Sequence, residues 1–294
     1  MKSIKYKGEK QRLDIYVSGL LDITRSQAQK RIKSGEIKVG GEQVNPSKMV
    51  AQGDVIKISE KISIQEKKEA PDVNIVYEDE NIIVVDKDAG VVVYPADGHD
   101  SGTLIDALRD KIGIQDEERP GVVHRLDKDT SGLMVFAKNQ KSLEHLQDQI
   151  RDRKFEKTYL TLVWGKVLPE KGTIDIPIQR SEKDRKKMEA SSTGRESLTE
   201  YEVVKYYDGM TFLRVKIITG RTHQIRVHFA GIGYPVVGDK AYGSRSSVIP
   251  AQAGISRQFL HAHELGFELF GKKYHFTSEL PKDLEKLLKL KENQ

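Results

Sequence analysis

The densest chemistry in the sequence is Gly121-Val-Val-His124-Arg125-Leu126-Asp127-Lys128-Asp129-Thr130-Ser131-Gly132, which runs directly into the apolar stretch Leu133-Met-Val-Phe-Ala137. Two carboxylates, the cations Arg125 and Lys128 with His124 beside them, and two hydroxyls stand at the mouth of a strand. That is an odd composition for a mere turn. A carboxylate in such a place can act as a nucleophile or as a general base. Asp127-x-Asp129-x-Ser131-Gly132 imitates the opening of a calcium loop, but its twelfth position is Lys138, where a bidentate Glu is required. The bland alternative is an Asx or Ser/Thr turn in which Asp129, Thr130 and Ser131 satisfy local backbone.

Asp127-x-Asp129-Thr130 also imitates the acidic pair of magnesium-dependent aspartyl phosphotransferases of the haloacid-dehalogenase type. There the pair follows an unbroken apolar strand, whereas here His124 and Arg125 intervene. With Cys at 0, the sequence excludes a thiol nucleophile, a disulfide framework, an iron–sulfur cluster and a thiolate zinc site. His223 with His228, and His261-x-His263, match no zinc spacing, so no metal is expected. Arg226 and His228 read as sheet-edge polarity or polyanion contacts. Lys183, Arg185, Lys186 and Lys187 form a basic run, either a solvated loop or a grip on backbone phosphates.

The elements that must position these groups divide into a small head and a larger body. Met1 to Lys68 carries 15 Lys+Arg against 8 Asp+Glu, and the rest of the 294 residues 34 against 36. A basic head on a near-neutral body suits a polyanionic partner. In the head, Leu13, Val17, Leu20 and Leu21 stand at helical spacing. Thr24-Arg-Ser-Gln27 is a capping box opening a second helix through Ala28 and Ile32. Ile37-Lys-Val39 with Gly40-Gly41 predicts a hairpin, and Gly53-Asp54 a second turn before Val55–Ile58. The expected boundaries are a head over 1–66, a charged linker over 67–74 and a body over 75–294.

In the body, Ile82–Val85 predicts a buried strand and Val91-Val-Val93 another. Leu104, Ala107 and Leu108, and then Leu143, Leu146 and Ile150, predict helices. Leu160 and Leu162 alternating with Tyr159 and Thr161 predict a strand, strands continue through Phe229, and a helix lies near Leu284–Leu290. Gly243–Gly254 reads as a loop. There is no βαβ alternation, so the expected class is α+β: a mixed, largely antiparallel sheet with flanking helices, preceded by a small α/β domain. No apolar run approaches 18 residues and the start lacks an apolar core, so neither a spanning helix nor a secretory signal is expected. A cytoplasmic, monomeric protein is the expectation.

The order RLD…TRSQAQKRIKSGEIKVGG…GDVIKI resembles the RNA-binding domain first recognised in ribosomal protein S-four, which implies that Arg25, Lys30, Arg31 and Lys33 lie along RNA. The segment HRLDKDTSGLMVFAKN resembles the signature of the RluA-type RNA pseudouridine synthases. Further segments follow in that family's order: Val85–Pro95, Gly102–Leu108, Lys157-Thr-Tyr159-Leu160, Thr219–His228, Pro235–Asp239 with Tyr242-Gly243, and Leu260-His-Ala262. Two departures stand in the frame of the site, Asp88 for the usual proline and Tyr94 for the usual histidine. The resemblance implies a pseudouridine-synthase-like fold and an isomerase acting on uridines that must be splayed from their stack. It needs no cofactor and puts large-subunit ribosomal RNA before transfer RNA as substrate. It makes Asp127 the reactive carboxylate, Arg221 its partner cation and Tyr159 the ring under the base. Arg125, Lys157, Ile225 and Leu260 are its substrate contacts. A non-catalytic RNA-binding or ribosome-assembly protein on the same fold, and the phosphotransferase, remain as alternatives.

Overall fold

The computed structural model describes residues 2–59, 69–95, 101–114, 116, 119–243 and 255–292. Two compact units emerge: residues 1–70 with 94–106, and residues 71–93 with 107–294.

In the first unit, β1 (Lys2–Lys5), β2 (Gln11–Arg12), α1 (Leu13–Leu21), α2 (Arg25–Lys33), β3 (Ile37–Val39), β4 (Met49–Val50) and β5 (Val55–Ile58) follow in order. The capping box forms as its residue types require: the Thr24 hydroxyl accepts from Gln27 N–H and the Gln27 side chain accepts from Thr24 N–H. Leu13, Val17, Ala28 and Ile32 bury the facing sides of α1 and α2 against Ile37, Val50 and Ile56. Gly40 and Gly41 both take positive φ, 64° and 93°, as a tight primed turn needs. The turn closes on a single Val39–Glu42 bridge, because β3 spends its ladder on β5 in a sheet ordered β1-β5-β3. Asp14 is fully buried and gathers Arg12, Arg25 and Gln29 around its carboxylate. Hydrogen bonds from Arg12, ahead of those from Gln29 and Arg25, outweigh burial and hold it well below the usual carboxylate range.

The second unit contains β6 (Asn74–Glu78), β7 (Ile82–Lys87), β8 (Ser131–Ala137), α4 (Gln140–Arg151), β9 (Glu156–Trp164), β10 (Lys171–Asp175), β11 (Ile178–Arg180), β12 (Met188–Ala190), β13 (Leu198–Tyr207), β14 (Met210–Ile217), α5 (Gln224–Gly231), β15 (Leu260–Leu269), β16 (Lys272–Thr277) and α6 (Lys282–Glu292); α3 (Leu104–Leu108) precedes β8. One large sheet runs β10-β13-β14-β9-β15-β8-β7-β6, with β16 also on β15. It is antiparallel except where β8 and β15 run parallel. The fold is the expected mixed, largely antiparallel sheet with flanking helices.

All seven residues of β8 are buried, which makes it a central strand with both faces covered. Leu133, Val135 and Ala137 pack with Leu146 of α4 and with Leu265 and Phe267 of β15. Leu160, Leu162 and Phe212 pack with Leu284 and Leu287 of α6. Glycine is obligatory at 132, where φ is 113° and a Cβ would stand 2.2 Å from Ala262 O on the parallel partner.

Two expected elements differ. Val91–Val93 forms no strand. The strand expected through Phe229 ends at Ile217, and Gln224–Gly231 is helix α5. Every residue of Gln224–Phe229 is buried, so the segment carries no one-sided helical period, and Ile225, Val227 and Phe229 imitate strand alternation. Residues 67–68 of the expected linker and 244–254 of the expected loop lie outside the described residues.

Candidate active site

Asp127 lies in the loop entering β8, and that loop is held from several sides. Thr130 N–H donates to Asp127 O, Gly90 N–H to Lys128 O, and Arg257 Nη1 to Asp129 O. The buried Lys87 ammonium donates to the carbonyls of Asp88, Val91 and Lys128 at 2.8–2.9 Å. Burial pushes Lys87 down to about 7, against the pull of Asp127 and Asp129. Gln258 Nε2 donates to the Thr130 hydroxyl, and the Ser131 hydroxyl meets His261 Nδ1. These bonds fix the backbone and leave the Asp127 side chain to one side.

That side chain meets α5. Arg226 Nη1 donates to Asp127 Oδ2 at 2.9 Å, while its Nε and Nη2 fork onto the two oxygens of Asp239 at 2.7 and 2.9 Å. Burial opposes the charge of Arg226, but Asp239 and Asp127 outweigh it and raise its pKa. Burial would likewise raise Asp239, and Arg226 with the amides of Ala241 and Tyr242 lowers it instead. The cation beside Asp127 is therefore Arg226. The expected Arg221 stands in the turn before α5 and donates Nε to Glu196 O at 3.0 Å. A helix, unlike the strand expected there, turns residue 226 inward and leaves 221 at its mouth.

The turn itself is stitched by Gln224. Its Oε1 accepts from Arg221 N–H and the Thr219 hydroxyl, and its Nε2 donates to Leu198 O and the Thr199 hydroxyl. His223 precedes α5 with φ 57°, its ring 2.7 Å from the Tyr242 hydroxyl and 3.8 Å from Asp127. The Arg226 guanidinium stacks over the Tyr242 ring at 5.1 Å.

Tyr159 lies buried on β9, and burial together with the charge of Asp127 raises its phenol well above the usual value. It is thus protonated at neutral pH and close enough to feel the carboxylate. Lys157, two residues earlier, shares its face of the strand. Its ammonium reaches the Gly220 turn, and burial pushes it down to about 8. Leu260 pairs with Thr161 in register, which places it on the Tyr159 face of the sheet. Ile225 is buried beside Arg226. Arg125 is exposed two residues before Asp127. His124 is structural: its Nε2 accepts from Val135 N–H, and burial with nearby Lys157 pushes it down to about 3, leaving it neutral.

On the head, Lys30 and Lys33 are exposed on α2, Arg31 is half-buried, and Arg25 is partly engaged by Asp14. Sequence reasoning passed over Arg226, Asp239, His223, Tyr242 and Lys87 as site groups, although each lies within a motif it singled out.

A family model described as RNA pseudouridylate synthase matches residues 81–231, and one described as S4 domain matches 11–56. An uncharacterized RNA pseudouridine synthase of Aquifex aeolicus is 46% identical over 258 residues, 84% of this chain and 82% of its own. The ribosomal large subunit pseudouridine synthase D of Pseudomonas aeruginosa is 40% identical over 294 residues, 95% of this chain and 92% of its own. The solved structure of human RNA pseudouridylate synthase domain containing 1 aligns with TM-score 0.59 at 28% identity, covering 74% of this chain and 87% of its own. The match over 81–231 spans the Asp127–Asp129 segment and displaces the phosphotransferase alternative. The chain belongs to the RNA pseudouridylate synthase family, isomerases that convert uridine in RNA to pseudouridine, and carries an S4 domain in its head.

Proposed function

We propose that the chain isomerises uridines of large-subunit ribosomal RNA, with transfer RNA as the second candidate, and that Asp127 is the carboxylate acting on a uridine turned out of its stack. The observation that carries this reading is Asp127 Oδ2 held at 2.9 Å by Arg226, itself locked onto buried Asp239. Such a clamp fixes the position of a reactive carboxylate. Tyr159 beside it offers a ring face to the base, with Leu260 on the same face of the sheet. Lys157 and Arg125 are in place to meet substrate, and Lys30, Arg31 and Lys33 of α2 offer charge to RNA backbone. The name of the Pseudomonas relative favours ribosomal RNA.

The reaction breaks the bond from sugar to base nitrogen and rejoins the base through carbon five, which must shed its hydrogen. RNA carrying tritium at uridine C5 should therefore release label to water. Asp127→Asn should abolish release while thermal unfolding stays unchanged. Normal turnover by that variant would refute the role of Asp127. Absence of pseudouridine differences between ribosomal RNA from cells with and without the protein would refute the substrate.

A further inference from the structure

The second oxygen of Asp127 faces a group that the account above leaves unused. His223 Nε2 stands 3.8 Å from Asp127 Oδ1, while Arg226, in the first turn of α5, holds Oδ2. The protonation of that imidazole follows from its other nitrogen. The Tyr242 hydroxyl accepts a hydrogen bond from Met188 N–H at 2.8 Å and lies 2.7 Å from His223 Nδ1. A phenol has one proton to give. Its other partner among the described residues is Nδ1, an arrangement that suits a phenol proton given to that nitrogen. With the phenol proton on that bond, Nδ1 is the accepting nitrogen and the neutral ring carries its hydrogen on Nε2, toward Asp127. Burial lowers the His223 pKa and keeps the ring neutral at pH 7. The backbone of His223 is in the left-handed region, φ 57° and ψ 20°, which histidine adopts more readily than most residues.

The far end of the chain is the basic hairpin. Met188 opens β12 directly after Lys183-Asp-Arg-Lys-Lys187, and Lys187 Nζ donates to Ala241 O at 2.7 Å. Ala241 and Tyr242 in turn bond Asp239 through their amides, and Asp239 is forked by Arg226. The hairpin, the 239–242 turn and the start of α5 thus form one hydrogen-bonded frame around Asp127.

We propose that His223 is a positioning residue of the isomerase, fixed by the Met188–Tyr242 chain as the Nε2–H tautomer, and that RNA gripped by the hairpin presses this frame inward so that Nε2–H closes onto Asp127 Oδ1. The inference rests on the reading of Asp127 as the reactive carboxylate. At 3.8 Å the bond is unmade in this structure, and catalytic contacts of this kind tighten in the substrate complex. Once closed, it would fix the rotation of the carboxylate from the side opposite Arg226. His223 acts through Asp127 and need not touch the nucleotide.

The test uses the full chain and the C5-tritiated RNA, under single-turnover conditions with RNA affinity measured alongside. His223→Ala should slow release about tenfold, the loss expected of one net hydrogen bond, with RNA affinity unchanged. His223→Gln, which keeps an N–H donor near the Nε2 position, should recover most of that rate. Tyr242→Phe keeps the ring over Arg226, deletes only the hydroxyl, and should slow release without weakening RNA binding. Nitrogen NMR of labelled histidine should show the Nε2–H tautomer in the wild type and its loss in Tyr242→Phe. An Ala variant at full rate, a Gln variant as slow as Ala, a rate loss matched by lost affinity, or an Nδ1–H tautomer would each overturn the proposal while wild type and Asp127→Asn still differ. If those two proteins do not differ, the reading of Asp127 fails and His223 loses its role with it.

Discussion

Arg226→Met removes one cation from between two carboxylates, and the size of the effect can be worked from their surroundings. Asp239 is fully buried and accepts four hydrogen bonds, two from Arg226 and two from the amides of Ala241 and Tyr242. The variant leaves that charge with the two amides alone. An orphaned buried charge costs about 3–5 kcal/mol. At roughly 2–4 °C per kcal/mol for a unit of this size, unfolding should move down by about 10 °C. Asp127 loses its anchor as well, and misplacement of a reacting group by about 1 Å costs about a hundredfold in rate. Arg221→Ala, by contrast, removes one bond to a backbone carbonyl at the surface, worth below about 1 kcal/mol. The sign with pH follows. In the wild type Asp239 is held below its unfolded value, so its contribution is present above the ordinary carboxylate range and lost as pH falls through the folded value. In Arg226→Met the unpaired carboxyl is raised, so the variant loses stability as pH rises out of that range. The gap between the two proteins should be widest near pH 7 and should narrow toward pH 4. Arg226→Lys keeps the charge without the fork and should fall between. Thermal unfolding at several pH values beside tritium release measures both effects. The reasoning is refuted if Arg221→Ala abolishes turnover and Arg226→Met spares it, or if the stability gap is independent of pH.

Two further substitutions separate the head from the site. Asp14→Asn deprives Arg12, Arg25 and Gln29 of their shared carboxylate and should destabilise the head by about 1–3 kcal/mol, the range for lost hydrogen bonds to a charged group. Faster amide exchange confined to α1 and α2, weaker RNA binding and a retained rate at saturating RNA are the expected readouts. The wild-type head should also loosen below about pH 4, where protonation of the unfolded carboxyl takes over, and the Asn variant should not share that loss. Lys157→Met removes an ammonium that burial pushes down to about 8 and that no hydrogen bond satisfies among the described residues. Because the folded value lies below the unfolded one of about 10.4, wild-type stability should rise between pH 8 and 10. The Met variant should be the more stable by roughly 2–3 kcal/mol at pH 7, the difference vanishing toward pH 10, while its turnover of RNA falls. A variant less stable than wild type at pH 7 would contradict the burial argument.

Much of the fold was legible because its signals are local. The capping box at Thr24, the paired glycines at 40 and 41, the unbroken apolar run of β8 and the alternation of β9 each require only neighbouring residues to be read. The order of the large sheet required partners far apart in sequence: β8 lies between β7 and β15, and no local pattern announces that parallel pairing. Asp127 was legible as a polar cluster at a strand mouth. Its cation was not, because Thr219–His228 alternates like a strand and a strand gives no reason to prefer residue 226 over 221. As a helix the same letters choose at once. Arg226 lies in the first turn of α5 and faces Asp127, whereas Arg221 precedes the helix and bonds Glu196 O instead. Asp239, thirteen residues beyond Arg226, could be paired with it only once both were known to be buried, since a buried guanidinium beside one carboxylate needs a second acceptor for its remaining donors. The requirement that buried charges be matched therefore recovers, from the fold, a pairing with Arg226 where the family resemblance is read as giving Arg221.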